Sequence, residues 1–141
     1  MADYRELAEY TGYLIRRTQQ LHAALWLREV GSDITSVQFG VLNVLAQHPD
    51  VDQRTVGEHL GLDRSTIADL VARLEKRGYL RRVRDASDRR RNLLHLSEQG
   101  RAELDQLLPG ALRVNEHLTA RMSGAEHAEL RRLLALVLES D

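Results

Sequence analysis

The chain has no cysteine among its 141 residues. Disulfides, thiolate metal sites and thiol-based redox sensing are thereby excluded. It also lacks any run approaching the ~18 apolar residues that a membrane span requires. The first residues, MADYRELAEY, carry Asp3, Arg5, Glu6 and Glu9 where a secretory signal would place an apolar core. A cytoplasmic protein without membrane association is the expectation. Proline is scarce, with two in all. Pro49 follows His48 at the end of one apolar stripe, and Pro109 falls inside another, where a bend is expected. Net charge is almost absent too, a formal −1. A chain of this length buries roughly two-thirds of its unfolded surface, enough for a core without covalent staples.

What is present is unevenly placed. Residues 54–91 hold eleven Lys/Arg against six Asp/Glu, while the rest of the chain holds nine against fifteen. Six arginines fall between positions 81 and 91, inside the segment YLRRVRDASDRRRNLLHLS. Such a cluster is either a solvated hairpin or a surface that grips a polyanion. The flanking sequence decides between them.

DITSVQFGVLNVLAQHPD opens with Thr35 and Gln38 at capping-box spacing, and Ile34 and Phe39 stand where a hydrophobic staple would fix the chain's approach. Val37, Val41, Leu42, Val44 and Leu45 form an apolar stripe. Asp52 then caps a short helix holding Val56 and Leu60, which Gly61 ends. After Leu62 alone, Asp63 caps another helix, so the pair reads as a helix-turn-helix. In the second helix Ile67, Leu70, Val71 and Leu74 follow i, i+3, i+4, i+7 and mark the buried side. At about 100° per residue, the opposite face carries Ser65, Thr66, Asp69, Ala72, Arg73 and Lys76. Short hydrogen-bonding groups precede long cations, as a helix in the DNA major groove requires. Gly78 ends this helix, and YLRRVR and NLLHL alternate as two strands around the turn-rich DASDRRR. An arginine-tipped hairpin directly after such a helix is a wing, able to reach an adjacent minor groove.

In this order of elements the chain resembles the MarR family of winged-helix transcriptional regulators. The most specific match is the wing pattern D-x-R-x5-L-[ST], present as Asp88, Arg90, Leu96 and Ser97, with GLDRSTIADLVARLEKRGYLRR upstream. The resemblance implies a mainly α fold with a small β wing, an α+β winged helix-turn-helix. Residues 32–96 would form the DNA-binding domain, and residues 1–31 and 97–141 the helical dimerisation region. A homodimer would then set two winged helices on palindromic double-stranded DNA. By the same resemblance Asp88 and Arg90 brace the wing, and Arg89 or Arg91 enters the minor groove, the sequence leaving both open. Arg64, Lys76 and Arg84 are expected on phosphates, and Ser65, Thr66, Asp69 and Arg73 on bases. No catalytic residue, metal or cofactor is expected, because no nucleophile elbow, phosphate-cradling glycine loop or HExxH spacing occurs.

The ends of the chain carry more apolar surface than one small winged helix covers. YRELAEYTGYLIRRTQQLHAALWL reads as one long helix with Leu7, Leu14 and Leu21 in line. Residues 98–121 form a second, striped from Leu104 to Leu118. Ser123 and Glu126 box a last helix bearing Leu130, Leu133, Leu134, Val137 and Leu138. A monomer would expose a patch that soluble proteins rarely tolerate, so self-association is expected independently of resemblance. Within the first helix, G-x-L-x-R-R-x-Q-Q-x-H is similar to the segment found in MarR-family repressors of aromatic-acid catabolism, including those answering to protocatechuate. That similarity implies that Arg16 meets a ligand carboxylate with His22 close by. Helical periodicity instead sets Arg17 on the core side, and Trp26 lies one turn beyond His22. The effector class would be a small aromatic acid or an aromatic acyl-CoA, bound by Arg16, Arg17, His22 and Trp26. The functional expectation is therefore a ligand-released repressor. A ligand-independent architectural DNA-binding protein is the alternative, needing the wing and nothing from Arg16 or His22.

Overall fold

The computed structural model describes residues 1–139. Ser140 and Asp141, the last two residues of the expected dimerisation region, lie outside them. Six α-helices and three short strands follow in the order α1 Thr11–Glu29, α2 Ser36–Gln47, β1 Val51–Asp52, α3 Gln53–Leu60, α4 Arg64–Lys76, β2 Leu80–Arg84, β3 Asn92–Leu96, α5 Glu98–Leu118 and α6 Gly124–Leu138. This is a winged helix-turn-helix with helical extensions at both ends, the fold class expected from sequence.

Local side-chain chemistry sets most of the boundaries. The Thr35 hydroxyl accepts from the Gln38 amide at 3.1 Å, and the Gln38 side chain accepts from the Thr35 amide at 3.0 Å. Asp52 and Asp63 accept from the amides of Thr55 at 2.7 Å and Thr66 at 2.8 Å, starting α3 and α4. Ser123 and Glu126 exchange the same pair of bonds at the head of α6. Each satisfies helix-end donors that would otherwise be orphaned. Gly61 closes α3 at φ 66° and Gly78 follows α4 at φ 82°, conformations that a side chain disfavours.

The main core lies under the helix-turn-helix. Val41, Leu42 and Leu45 of α2, Val56 of α3, and Ile67, Val71 and Leu74 of α4 close on Leu80 of β2 and Leu94 of β3. Ile34 joins this core, and Phe39 packs against it. Leu70 is half-buried at its margin. Val37, read as part of the α2 stripe, is instead exposed. It lies in the first turn of α2.

Two further features depart from the sequence reading. The amino-terminal helix does not run through Tyr4 to Leu27 without interruption. Leu7–Glu9 is a separate 3-10 turn closed by reciprocal bonds between Glu6 and Glu9, and Tyr10 is extended at φ −95°, ψ 114° before α1 begins. Leu7 is therefore out of line with Leu14 and Leu21. The sheet also has a third strand, its order being β1–β3–β2. β3 pairs antiparallel with both neighbours, Leu94 opposite Val51 and Arg82, and Leu93 opposite Asp52 and Val83.

The terminal helices α1 and α5 cross each other closely. α5 passes so close to the end of α1 that a Cβ on Gly110 would stand 2.6 Å from the Glu29 carbonyl oxygen. The Glu29 carboxylate accepts from Arg113 at 2.9 Å, and that bond leads the causes holding its pKa below the usual carboxylate range. Trp26 packs with Leu25 and Val114 and donates its indole N–H to the Ile34 carbonyl at 2.8 Å. Pro109 sits inside α5 without ending it. α5 also sends Leu104 into the main core, with Leu107 packed against it, but other parts of the extensions are bare. α6 contains no buried residue, and Leu14 and Leu21 of α1 are about as exposed as Leu133, Leu134 and Leu136.

Candidate nucleic-acid interface

Asp63 and the Ile67–Leu74 apolar row together fix how α4 is rotated. Every position read as groove-facing is exposed: Ser65, Thr66, Asp69, Ala72, Arg73 and Lys76. Ser65 is tethered by its hydroxyl to Asp63 at 3.1 Å. That hydrogen bonding, led by the Thr66 amide, holds the Asp63 carboxyl below its ordinary pKa. Arg73 lies 3.8 Å from Asp69, one turn away. Ser65, Thr66, Asp69, Leu70 and Arg73 line a shallow hollow of about 360 Å³. The arrangement presents donors, acceptors and one cation on a rigid ridge, which is what base-edge readout uses.

Beside α4 stands the wing. β2 and β3 pair from Leu80–Leu96 to Arg84–Asn92, and the hairpin is closed by the Asp85 amide donating to the Arg91 carbonyl at 2.9 Å. Arg82 is drawn back toward α4, its amide and its guanidinium each 3.2 Å from Glu75. Arg84 donates to the Arg89 carbonyl at 2.7 Å, spanning the turn from inside. Arg81 and Arg89 are exposed.

The three tip arginines make different contacts. Asp88 and Arg90 do meet, at 3.3 Å, but they are two residues apart in one turn, and Arg90 is 92% exposed. That pair orders the turn and does not tie the wing to the body. Arg91 makes the tie. Its guanidinium donates to one Asp52 oxygen at 2.8 and 3.1 Å and to Asp85 at 3.1 Å. Asp52 and Asp85 are mostly covered, and both titrate below the ordinary carboxylate range. For Asp52 the hydrogen bonds from Thr55 dominate, ahead of Arg91. For Asp85 those from Ser87 dominate. Sequence reasoning found neither Asp52 nor Asp85 as wing partners. Asp52 lies 39 residues from Arg91, and no local pattern joins them.

Between wing and helices runs a cleft of about 670 Å³, lined by Arg54, Arg64, Arg90 and Arg91 together with Asp52, Gln53, Ile67, Asp88 and Asn92. Arg64 is exposed at its edge, at the first turn of α4. Four arginines line one channel flanked by a polar helix and a hairpin tip, three of them paired with carboxylates: Arg54 with Glu58, Arg90 with Asp88, and Arg91 with Asp52 and Asp85. A polyanionic strand would meet cations on both sides of it.

The residues of α1 read as ligand contacts are only partly brought together. The rings of His22 and Trp26 lie 6.3 Å apart. Nδ1 of His22 is buried and has no hydrogen-bond partner among the described residues. Trp26 is covered, with its N–H already engaged, so it offers a wall and no donor. Arg16 and Arg17 are both exposed, and the Arg16 guanidinium sits 5.6 Å from the Tyr13 ring centroid. Arg16 is six positions from His22, about 120° around the helix. Among the described residues no cluster of three or more His, Cys, Asp or Glu could hold a metal ion, and no helix is long and apolar enough to cross a membrane.

Comparison with known proteins finds relatives of the same fold. The MarR family model matches residues 32–91, from the α1–α2 loop to the wing tip. The transcriptional repressor NicR of Pseudomonas putida is 29% identical over 137 residues, covering 96% of this chain and 87% of that protein. The PcaV transcriptional regulator from Streptomyces coelicolor, solved in complex with its natural ligand, is 44% identical and superposes with a TM-score of 0.94 over 99% of each chain. BpsR of Bordetella bronchiseptica, whose DNA binding is regulated by 6-hydroxynicotinic acid, is 27% identical with a TM-score of 0.92, over 99% of this chain and 100% of that one.

Proposed function

The chain belongs to the MarR family of winged-helix transcriptional regulators, and from that premise we propose that it is a homodimeric repressor of a palindromic operator, released by an aromatic carboxylate or its coenzyme A thioester. The observation that carries the DNA half of the reading is the exposed polar face of α4 standing beside an arginine-tipped wing. Ser65, Thr66, Asp69 and Arg73 read bases, while Arg64, Lys76 and Arg84 hold phosphates. Residues 32–96 act as the DNA-binding domain, and the helices of residues 1–31 and 97–141 pair two chains in the cytoplasm. The exposed leucines of α1 and α6 support that pairing. The protein performs no catalysis on its ligand; it reports the ligand's presence by letting go of DNA.

The ligand half rests on His22 and Trp26, whose ring centroids lie 6.3 Å apart, His22 carrying a buried ring nitrogen without a hydrogen-bond partner. A buried polar atom without a partner is costly unless something arrives to satisfy it. Arg16 is the residue assigned to the carboxylate, through two parallel hydrogen bonds, with Arg17 secondary. That PcaV was solved with its natural ligand and that BpsR answers to a hydroxylated aromatic acid support the class of compound.

Fluorescence anisotropy on the DNA upstream of the protein's own gene tests both halves. Protein is titrated alone and with protocatechuate, a hydroxycinnamate, and the hydroxycinnamoyl coenzyme A thioester. Release by one compound, abolished in Arg16→Ala, is the expected result. That compound at 100 times its dissociation constant also adds about 2.7 kcal/mol of folding stability. Tight binding indifferent to all three leaves the architectural reading in its place.

A further inference from the structure

The geometry points to Arg91 as a positioning residue that sets the wing's angle to the recognition helix and does not itself enter DNA. This rests on the DNA-binding reading above and goes beyond it, because the family wing pattern assigns that work to Asp88 and Arg90. The argument begins with Asp52, whose two oxygens do different jobs. Oδ1 accepts the Thr55 amide at 2.7 Å and starts α3, while Oδ2 takes two N–H groups of Arg91 at 2.8 and 3.1 Å. The third hydrogen bond of Arg91 goes to Asp85, where the wing loop leaves β2. One guanidinium therefore links the wing's base to the first turn of the helix-turn-helix. α3 in turn packs on α4 through Val56 and Ile67, so the strut fixes the wing relative to the groove-facing ridge.

Entry of Arg91 into a minor groove would break three charge-assisted hydrogen bonds. It would also strand two carboxylates, 16% and 12% exposed, beside DNA phosphates with no counter-charge. Arg89 and Arg90 carry no such obligation to the body of the protein. Arg89 is exposed and its carbonyl is what Arg84 holds, and Arg90 is tied only to its neighbour Asp88. The two cations left to reach the minor groove are Arg89 and Arg90.

Asp52→Asn gives the strut a test of opposite sign from a direct contact. Asparagine still caps a helix, but its amide no longer holds Arg91 by charge. Full-length protein selects its preferred duplex from a randomised pool, and two discriminations are read by anisotropy. One compares the selected half-sites with scrambled ones, and the other compares A·T-rich flanks with G·C-rich ones. Arg91→Gln and Asp52→Asn are both expected to lose flank discrimination by about three- to tenfold, the worth of roughly one hydrogen bond. Half-site discrimination stays as in the wild type, while both variants unfold at a lower temperature because each leaves a charged partner of the strut unpaired, and Arg91→Lys restores part of the flank loss. If Asp52→Asn binds as tightly as the wild type, or more tightly, while Arg91→Gln loses the flanks, Arg91 is itself the contact and the strut is overturned. Parallel loss of half-site discrimination in both variants also overturns it, leaving a merely structural role.

A second arm needs no DNA. Trypsin should cut after Arg89 and Arg90 about three- to tenfold faster in Asp52→Asn than in the wild type, because the tip swings more freely. Unchanged cleavage rejects the strut whatever the DNA result. Failure of the wild type to select any duplex removes the DNA-binding reading, and the protease arm still decides whether Arg91 holds the wing.

Discussion

Arg73 and Asp69 stand one turn apart on the exposed ridge of α4, 3.8 Å from each other and each more than two-thirds exposed. A pair so open to water contributes little to stability, so its value lies in what it presents. Arg73→Ala is expected to weaken binding to the selected operator by about 1–3 kcal/mol and to relax preference at a single base pair. A panel of single-base operator variants checks this; equal weakening on every sequence would put Arg73 on phosphate alone. Gly110 makes the opposite kind of case, a residue whose lack of a side chain is the point. In Gly110→Ala the new methyl meets the Glu29 carbonyl at 2.6 Å and a Val30 methyl at 3.1 Å, so α5 must back away from α1. Overpacking of this kind costs about 1–3 kcal/mol, visible as a lower unfolding temperature. Residues that act on near neighbours were legible in the sequence: Thr35 with Gln38, Asp63 with Thr66, Gly61 and Gly78 at their helix ends. Arg91 was not, because its partner Asp52 reaches it only through a sheet that the fold assembles.

At the scale of elements, α3 and α4 begin on aspartates and the wing closes on a third, and all three carboxyls titrate below their ordinary value. Their stabilising contribution is complete above the unfolded-state pKa near 4 and is lost as pH falls through the depressed folded values. Thermal melts between about pH 6 and pH 3 are therefore expected to be flat at first and then to fall. Asp63→Asn, which keeps a cap but no titrating group, should shallow that fall. The elements themselves divide by how far their causes reach. α2, α3, α4 and α6 each announce a cap within three residues of the start, and an apolar period follows. β1 does not, being two residues long and existing only because Leu93 and Leu94 of β3 lie opposite it. The turn at Leu7–Glu9 hid for a related reason. Its leucine falls in helical register with Leu14 and Leu21, and only the extended Tyr10 breaks the line.

Across the whole molecule, the basic winged helix sits between acidic, apolar-faced ends, and the two halves obey different physics. Binding to DNA through the first should weaken steeply with salt, since each neutralised phosphate releases counterions. The proposed pairing through the second would be apolar and far less sensitive to salt. The two are separable by measuring operator affinity and unfolding temperature over one salt series. The unfolding temperature should instead rise with protein concentration, as it does whenever folding and association are linked. α6 has the largest stake in that linkage, because not one of its residues is buried within a single chain. Its survival is thus a matter of abundance. Below the concentration at which chains find each other, the carboxyl-terminal helices are open to proteases. Above it the proposed pairing would shelter them, setting a floor on copy number below which the chain would be degraded.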